Sequence, residues 1–245
     1  MTRARAGWLL FWLAALWPAA AAAQSVSIDL GSGGAAGATG RLVQLTVLIT
    51  VLSIAPSLLV MTTAFTRIVI VLSLLRSALG TQGTPPNMVL IGLALFLSFF
   101  VMQPVLEKSW QDGVAPLIAG QIDEMQGLAR AAEPVRAFMA AQTRPDDARL
   151  FLELGHLAPV AAGGPLPWRA LMPGFLVSEL RRAFEIGFLI YLPFLVIDLV
   201  VASLLMSLGM MMLPPTAVSL PFKLIFFVLV DGWRLVAGSL VQSFS

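Results

Sequence analysis

The 245-residue chain is 58% hydrophobic and 11% charged, with a mean hydropathy of +0.90; soluble domains run at roughly 45–50% apolar, so a water-soluble monomer is excluded. The basic excess, a formal charge of +2 and a pI near 9.7, is spread along the chain rather than gathered in a block, which sets nucleic acid aside as a partner. There is no cysteine, so disulfides, thiolate metal sites and cysteine nucleophiles are excluded as well.

Residues 1–23 place Arg3 and Arg5 before an apolar core from Trp8 to Trp17 and end in Ala21-Ala22-Ala23. That is the order of a secretory signal peptide, with cleavage expected between Ala23 and Gln24. An uncleaved signal anchor is the alternative, but the core is short for a spanning helix. Residues 24–41 are rich in Gly, Ser and Ala and read as a flexible exported linker. Gly31, Gly33 and Gly34 lack the Gly-Lys-Ser/Thr that a phosphate loop requires.

From Leu42 to Leu75 the chain is apolar, interrupted only by Pro56 and Arg67. This exceeds one perpendicular span, so a helix tilted and kinked at Pro56 is expected, or one lying partly outside the hydrocarbon. Gly80, Gly83, Pro85 and Pro86 mark a turn. Met88 to about Leu106 carries no charge and is the clearest spanning candidate, so residues 42–106 are expected to form a helical hairpin.

Residues 107–182 hold most of the acidic side chains and the only histidine, His156. Ile118, Ile122, Met125 and Leu128 recur at helical spacing, as do Val135, Phe138 and Met139 after Pro134. Pro145, Asp146 and Asp147 suit the first turn of a helix whose apolar face is Leu150, Phe151 and Leu154. The stretch from Gly155 to Pro167 closes this small polar domain as a loop.

A third apolar segment runs from about Phe184 to Leu208 and a fourth from about Val218 to Val241, joined by a Met-rich turn at 209–215; residues 183–241 are expected to form a second hairpin. The fold class is an all-α membrane protein: a cleaved signal peptide, two long helical hairpins, and a small helical exported-side domain inserted between them. With an exported N-terminus, four crossings place residues 107–182 and the C-terminus on the exported side. Arg76 in the short inner loop fits the positive-inside rule, whereas Arg181 and Arg182 outside do not. That conflict hints that not all of these helices are ordinary spans.

Arg67, Asp198, Lys223, and Asp231 near Arg234 sit in apolar runs, where an unpaired charge at mid-bilayer costs about 2.5–3.5 kcal/mol. They must be paired or lie outside lipid. Asp231 with Arg234, Glu179 with Arg182, and Arg181 with Glu185 are spaced to pair on one helix face. Asp198 and Lys223 meet only if the third and fourth helices form a hairpin, or else they reach a neighbouring subunit. An ion or proton pathway is one reading and intersubunit salt bridges that fix assembly the other; one isolated acid per helix is sparse for a proton relay.

Met210, Met211 and Met212 lie between Gly209 and the helix-stopping Pro214-Pro215. Methionine deforms around irregular objects, so several copies around an axis would form a compressible, water-repelling constriction. Apolar filler at a turn is the alternative. Ser219 and Lys223 have the spacing of a serine–lysine nucleophile pair, but Pro221 lies between them and no oxyanion donor is identifiable. His156 has no metal-ligand partner at a recognised spacing. No catalytic residue, metal or cofactor is expected, and the chain does not read as an enzyme.

Residues 173–188 (PGFLVSELRRAFEIGF) and 193–209 (PFLVIDLVVASLLMSLG) closely resemble the two sequence patterns of the FliP family of flagellar export-gate proteins. So do residues 61–105 and the block MMMLPPTAVSLPFKLIFFVLVDGW at 210–233. The likeness covers nearly all of residues 45–240; Gly174 stands where the family usually has alanine, and the linker and residues 140–168 match poorly. The resemblance implies that about five copies join FliQ and FliR in a closed, helically arranged gate. It implies further partners in other export-apparatus proteins such as FlhB and FlhA and in the basal-body ring. The expected location is the flagellar basal body at the bacterial inner membrane, with a periplasmic domain and a gate largely above the membrane plane. Unfolded flagellar proteins would pass through it, driven by the proton gradient and an export ATPase acting through other components. The family's methionine gasket maps onto Met210, Met211 and Met212. The virulence injectisome branch is a close rival, although the signal and long linker look more like the flagellar branch; a proton-conducting transporter subunit is the rival from a different class.

Overall fold

The computed structural model describes residues 60–81, 83–158, 160, 164–210 and 212–244, together with 45, 46, 49, 50, 52–54, 57 and 58. The signal peptide, its cleavage point at Ala23 and Gln24, the linker, Pro56 and Met211 lie outside the described residues. The chain divides into two units, Met1–Ser53 and Ile54–Ser245. The described residues of the first are helical, with the Ser53 hydroxyl donating to the Ile49 carbonyl at 2.8 Å.

In the second unit every regular element among the described residues is helical. Helix α1 (Phe65–Leu79) buries one face, on which Arg67, Ile68, Val71, Leu72, Leu75, Ala78 and Leu79 recur at helical spacing. Of its other residues only Ser77 is exposed, so α1 lies against the core. Helix α2 (Asn87–Ser109) continues through a π-helical turn (Trp110–Val114) into α3 (Ala115–Ile118). Together they make an unbroken helical run of 32 residues, well past the Leu106 limit of the apolar segment. The wider turn of the π-helix lets α4 (Glu124–Gln142) come close: a Cβ on Gly113 would lie 2.4 Å from the Ala131 nitrogen. Only glycine fits there.

The Asp123 side chain caps α4, accepting from the Gln126 N–H at 2.9 Å, and satisfies one of the four free amides of a helix start. Pro134 does not divide this helix. The ring costs about 3 kcal/mol in a helix interior, and packing on both sides of it holds the helix together: Gly127 against Leu117, and Met139 against Leu171 and Phe175. Helix α5 (Pro145–Leu154) starts where Pro145, Asp146 and Asp147 imply.

Helix α6 (Trp168–Ser207) runs for 40 residues through Pro173 and Pro193. At 1.5 Å per residue it is roughly 60 Å long, about twice the 30 Å of a hydrocarbon core. Its first half carries Glu179, Arg181, Arg182 and Glu185, so no backbone break separates the polar region from the third apolar segment.

The fourth apolar segment is not one helix. Helix α7 (Pro215–Leu229) and α8 (Gly232–Gln242) meet at a bend of 65°. Asp231 at the corner has φ 52 and ψ 50, the left-handed region. Two described helices are long and apolar enough to cross a membrane, Asn87–Ile118 and Trp168–Ser207, with a third if α7 and α8 count as one broken span. Of the expected four crossings, the first falls largely on residues 42–60, many of which lie outside the described residues; α1, which carries the end of that segment, has 15 residues.

The main core joins Ile68, Leu72 and Leu75 of α1 to Leu90 and Ala94 of α2, Ala183 and Phe194 of α6, Phe227 of α7, and Leu240 of α8. A smaller core links Met139 of α4 to Leu171 and Phe175 of α6. Neither covers the outer faces of the long helices. In the most apolar stretch only 22% of Asn87–Ile118 and 11% of Trp168–Ser207 is buried. Phe96, Phe99 and Phe100 of α2, Phe188, Leu199 and Val200 of α6, and Ile225 and Val228 of α7 face outward.

Candidate functional site

Two charged centres hold opposite ends of α1. At the first, Arg67 is fully buried and satisfied on every side. Its Nε donates to Glu179 Oε2 at 2.9 Å and its Nη2 to Glu179 Oε1, closing a bidentate pair. Nη2 also donates to Gln142 Oε1 at 2.9 Å, while Nη1 donates to the Ser243 carbonyl at 2.8 Å and the Ser243 hydroxyl at 3.0 Å. The guanidinium carbon lies 3.7 Å from the centre of the Phe244 ring. The fork geometry that makes arginine suit carboxylates bidentately is fully used. One side chain thus ties together α1, α4, α6 and the residues after α8.

The expected Glu179–Arg182 pair is not made. Glu179 turns to Arg67, 112 residues away in sequence, and Arg182 Nη1 donates to Gln142 Oε1 at 2.5 Å. Glu179 is on the buried face of α6 and Arg67 is the cation that reaches it there; nearest spacing along the helix does not decide the partner. Gln142, Ser243 and Phe244 escaped the sequence reading because polar and aromatic residues at the end of a segment carry no periodic signal. Arg67 did give notice, as a lone cation in an apolar run.

At the second centre, Lys223 Nζ lies 2.6 Å from Asp198 Oδ2, and the Ser219 hydroxyl donates to Asp198 Oδ1 at 2.5 Å. Lys223 Nζ also donates to the Ala78 carbonyl at 3.1 Å. That carbonyl is in the last turn of α1, where peptide oxygens lack intrahelical donors and the helix dipole favours a cation. The centre therefore joins α6, α7 and α1. Asp198 and Lys223 meet across the third and fourth segments, the within-chain arrangement of the two that the sequence left open, and Arg67 and Glu179 likewise pair within the chain. Ser219 and Lys223 are both committed to one carboxylate, which leaves no free amine to activate the hydroxyl as a nucleophile.

Two exposed arrangements lie outside these centres. Glu185 accepts from Arg181 Nε at 3.1 Å and is 3.7 Å from Arg144 Nη1, while Asp231 and Arg234 approach only to 4.0 Å. Such exposed pairs add little stability. A further contact not anticipated from the sequence pins α5 to α6: buried Ser178 accepts from the Arg144 N–H at 3.0 Å and donates to Asp147 Oδ2 at 2.6 Å. His156 is exposed at a helix end, and no three His, Cys, Asp or Glu among the described residues are grouped to hold a metal.

Between α6 and α7 the chain reverses in a short connection. Leu208 and Gly209 end α6, Pro214 precedes α7, and Met210 and Met212 lie between them. Met212 is 99% exposed and Met210 46%. Below them an almost wholly apolar groove of about 510 Å³ runs between the helices, lined by Val200, Leu204, Val218 and Phe222 among others.

An all-α fold among the described residues, with two long apolar helices, outward apolar faces, and Arg67, Asp198 and Lys223 paired inside, defines a membrane protein. The FliP family model matches residues 48–240, and the chain belongs to the FliP family. It is 58% identical to the Flagellar biosynthetic protein FliP of Caulobacter vibrioides over 94% of this chain and 86% of that protein. Identity to the protein of the same name from Agrobacterium fabrum is 54%, covering 81% of this chain and 82% of that one. For Bacillus subtilis the figures are 50%, 82% and 91%.

Proposed function

We propose that this chain is a subunit of the flagellar type III protein-export gate, forming with copies of itself and with FliQ and FliR the channel through which unfolded flagellar proteins leave the cell. The observation that carries the reading is identity of 50–58% to proteins named Flagellar biosynthetic protein FliP across at least four-fifths of the chain. Those names also favour the flagellar over the injectisome branch. The subunit is a structural component and not an enzyme; FlhB, FlhA and the basal-body ring are further partners, at the inner membrane. In this reading residues 107–182 are the periplasmic domain, residues 1–23 are removed as a signal, and the long helices complete their burial against neighbouring subunits.

The geometry supports this in two ways. Outward apolar faces on α2, α6 and α7 require lipid or protein to cover them. The length of α6, about twice a hydrocarbon core, agrees with a gate that rises above the membrane plane. Met210, Met211 and Met212 form the constriction when copies surround an axis, a role supported by the exposure of Met210 and Met212 at the tip of the turn.

The test is secretion. A strain lacking this chain should release no flagellar subunits to the medium and recover release when the chain is restored; unchanged release would overturn the proposal. The transporter reading separates from it at Asp198. Asp198→Asn leaves Lys223 without a counter-charge, so the gate reading predicts reduced recovery of the intact complex. The transporter reading predicts normal assembly with proton flux lost in purified vesicles.

A further inference from the structure

The sequence presents Asp231 and Arg234 as a charge pair, yet both are well exposed and 4.0 Å apart. A different property of Asp231 stands out. Its backbone is left-handed, φ 52 and ψ 50, and the helix direction turns by 65° at this point. Side chains with a Cβ rarely adopt that region; Asp and Asn do so most readily, because their short polar groups hydrogen-bond locally. Gly232 follows, and a Cβ on it would lie 2.2 Å from the Phe227 ring. Phe227 in turn packs edge-on against Trp233, ring centres 5.3 Å apart. The corner is thus built by a residue that tolerates its backbone, a residue with no side chain, and two rings, one from each helix, in edge contact across the bend.

The bend has a destination. On one side of it Lys223 reaches Ala78, and on the other Ser243 and Phe244 reach Arg67. Those two points on α1 are about 16 Å apart along the axis, whereas an unbroken helix would carry Ser243 about 30 Å beyond Lys223. The corner shortens that reach, and the long Lys223 and Arg67 side chains supply the remainder. It also seats Val236 and Leu240 in the core, where Leu240 is fully buried. Beyond them Gln142 Nε2 donates to the Phe244 carbonyl at 3.3 Å, which closes the ring of contacts around Arg67.

We infer that α8 with Ser243 and Phe244 is a strap folded over the buried Arg67–Glu179 pair, and that Asp231 sets its closure through backbone conformation and not through charge. The strap supplies two of the five hydrogen bonds made by the guanidinium and the aromatic face above it. Opened at Asp231, it leaves Arg67 with three of its five hydrogen bonds and detaches α8 from α2 and Phe244 from α4, while the Asp198–Lys223 centre on α6 and α7 stays in place.

Amide hydrogen exchange, read by mass spectrometry on the full chain in its complex purified in mild detergent, tests this. Asp231→Asn keeps left-handed tolerance and removes the charge, so residues 232–244 should exchange as in the native chain. Asp231→Ala should exchange faster in that segment, and Asp231→Val, β-branched and least tolerant, at least tenfold faster. Arg234→Ala should change nothing there. Residues 145–154 of α5 and 215–229 of α7 should keep native protection in every variant. Native exchange in Asp231→Val would overturn the inference. So would opening in Asp231→Asn or Arg234→Ala equal to that in Asp231→Val, which would make the charge pair the cause, or loss of protection through α5 and α7 as well, which would make the effect general unfolding.

Discussion

Arg67 illustrates how a charge in an apolar helix becomes stable: its donors are all answered inside the chain, by Glu179, Gln142 and Ser243. Removing one member of such a pair strands the other, at about 3–5 kcal/mol, whereas replacing both with apolar groups of similar volume is often close to neutral. Glu179→Ala should therefore lower the melting temperature of the detergent-solubilised protein sharply, and Arg67→Met with Glu179→Leu should recover most of the loss. A double variant as unstable as the single one would mean that the pair itself, and not the stranded charge, carries the energy. At the second centre Lys223→Glu places an acid beside Asp198 and beside the carbonyl end of α1, two repulsions at once. Recovery of intact complex on native gels should fall, and a normal yield would contradict the role assigned to this pair.

Elements are joined by close approaches that a single methyl group would block. At Gly113 an added Cβ meets the backbone nitrogen and Cα of Ala131, at 2.4 and 2.6 Å, and backbone cannot rotate away. Gly113→Ala should force α4 from the π-helical turn and cost about 1–3 kcal/mol, visible as a lower melting temperature. Ala131→Gly should not rescue it, because the obstruction is main chain; rescue would place the clash at the side chain instead. This scale also marks how far the sequence could be read. The start of α5 was legible because Pro145, Asp146 and Asp147 act locally on a helix N-terminus. The apolar runs and the charges inside them were legible for the same reason, since each is a property of neighbours. What stayed hidden depends on distant chain. Pro134 separates two helical spacings in the sequence but is carried through by packing on both sides, and the corner at Asp231 lies inside an apolar run that gives no sign of bending. Local spacing likewise matched Glu179 to Arg182, while burial gave it to Arg67.

For the whole molecule the unresolved demand is area. The two charged centres close within one chain, yet most of the apolar surface of the long helices does not, and the methionine tip projects with Met212 wholly exposed. In the proposed gate, sibling subunits around a shared passage would answer both facts, since the outer faces would become contacts and the tips would converge. Replacing Met210, Met211 and Met212 together with Ala should then leave the constriction wet, so ion conductance through the assembled complex should rise; unchanged conductance would remove the gasket role. The most direct test of the central claim is the mass of the particle after purification in mild detergent. A multimer containing several copies of this chain together with other membrane proteins is the predicted result. A stable monomer that supports export when returned to lipid would contradict it.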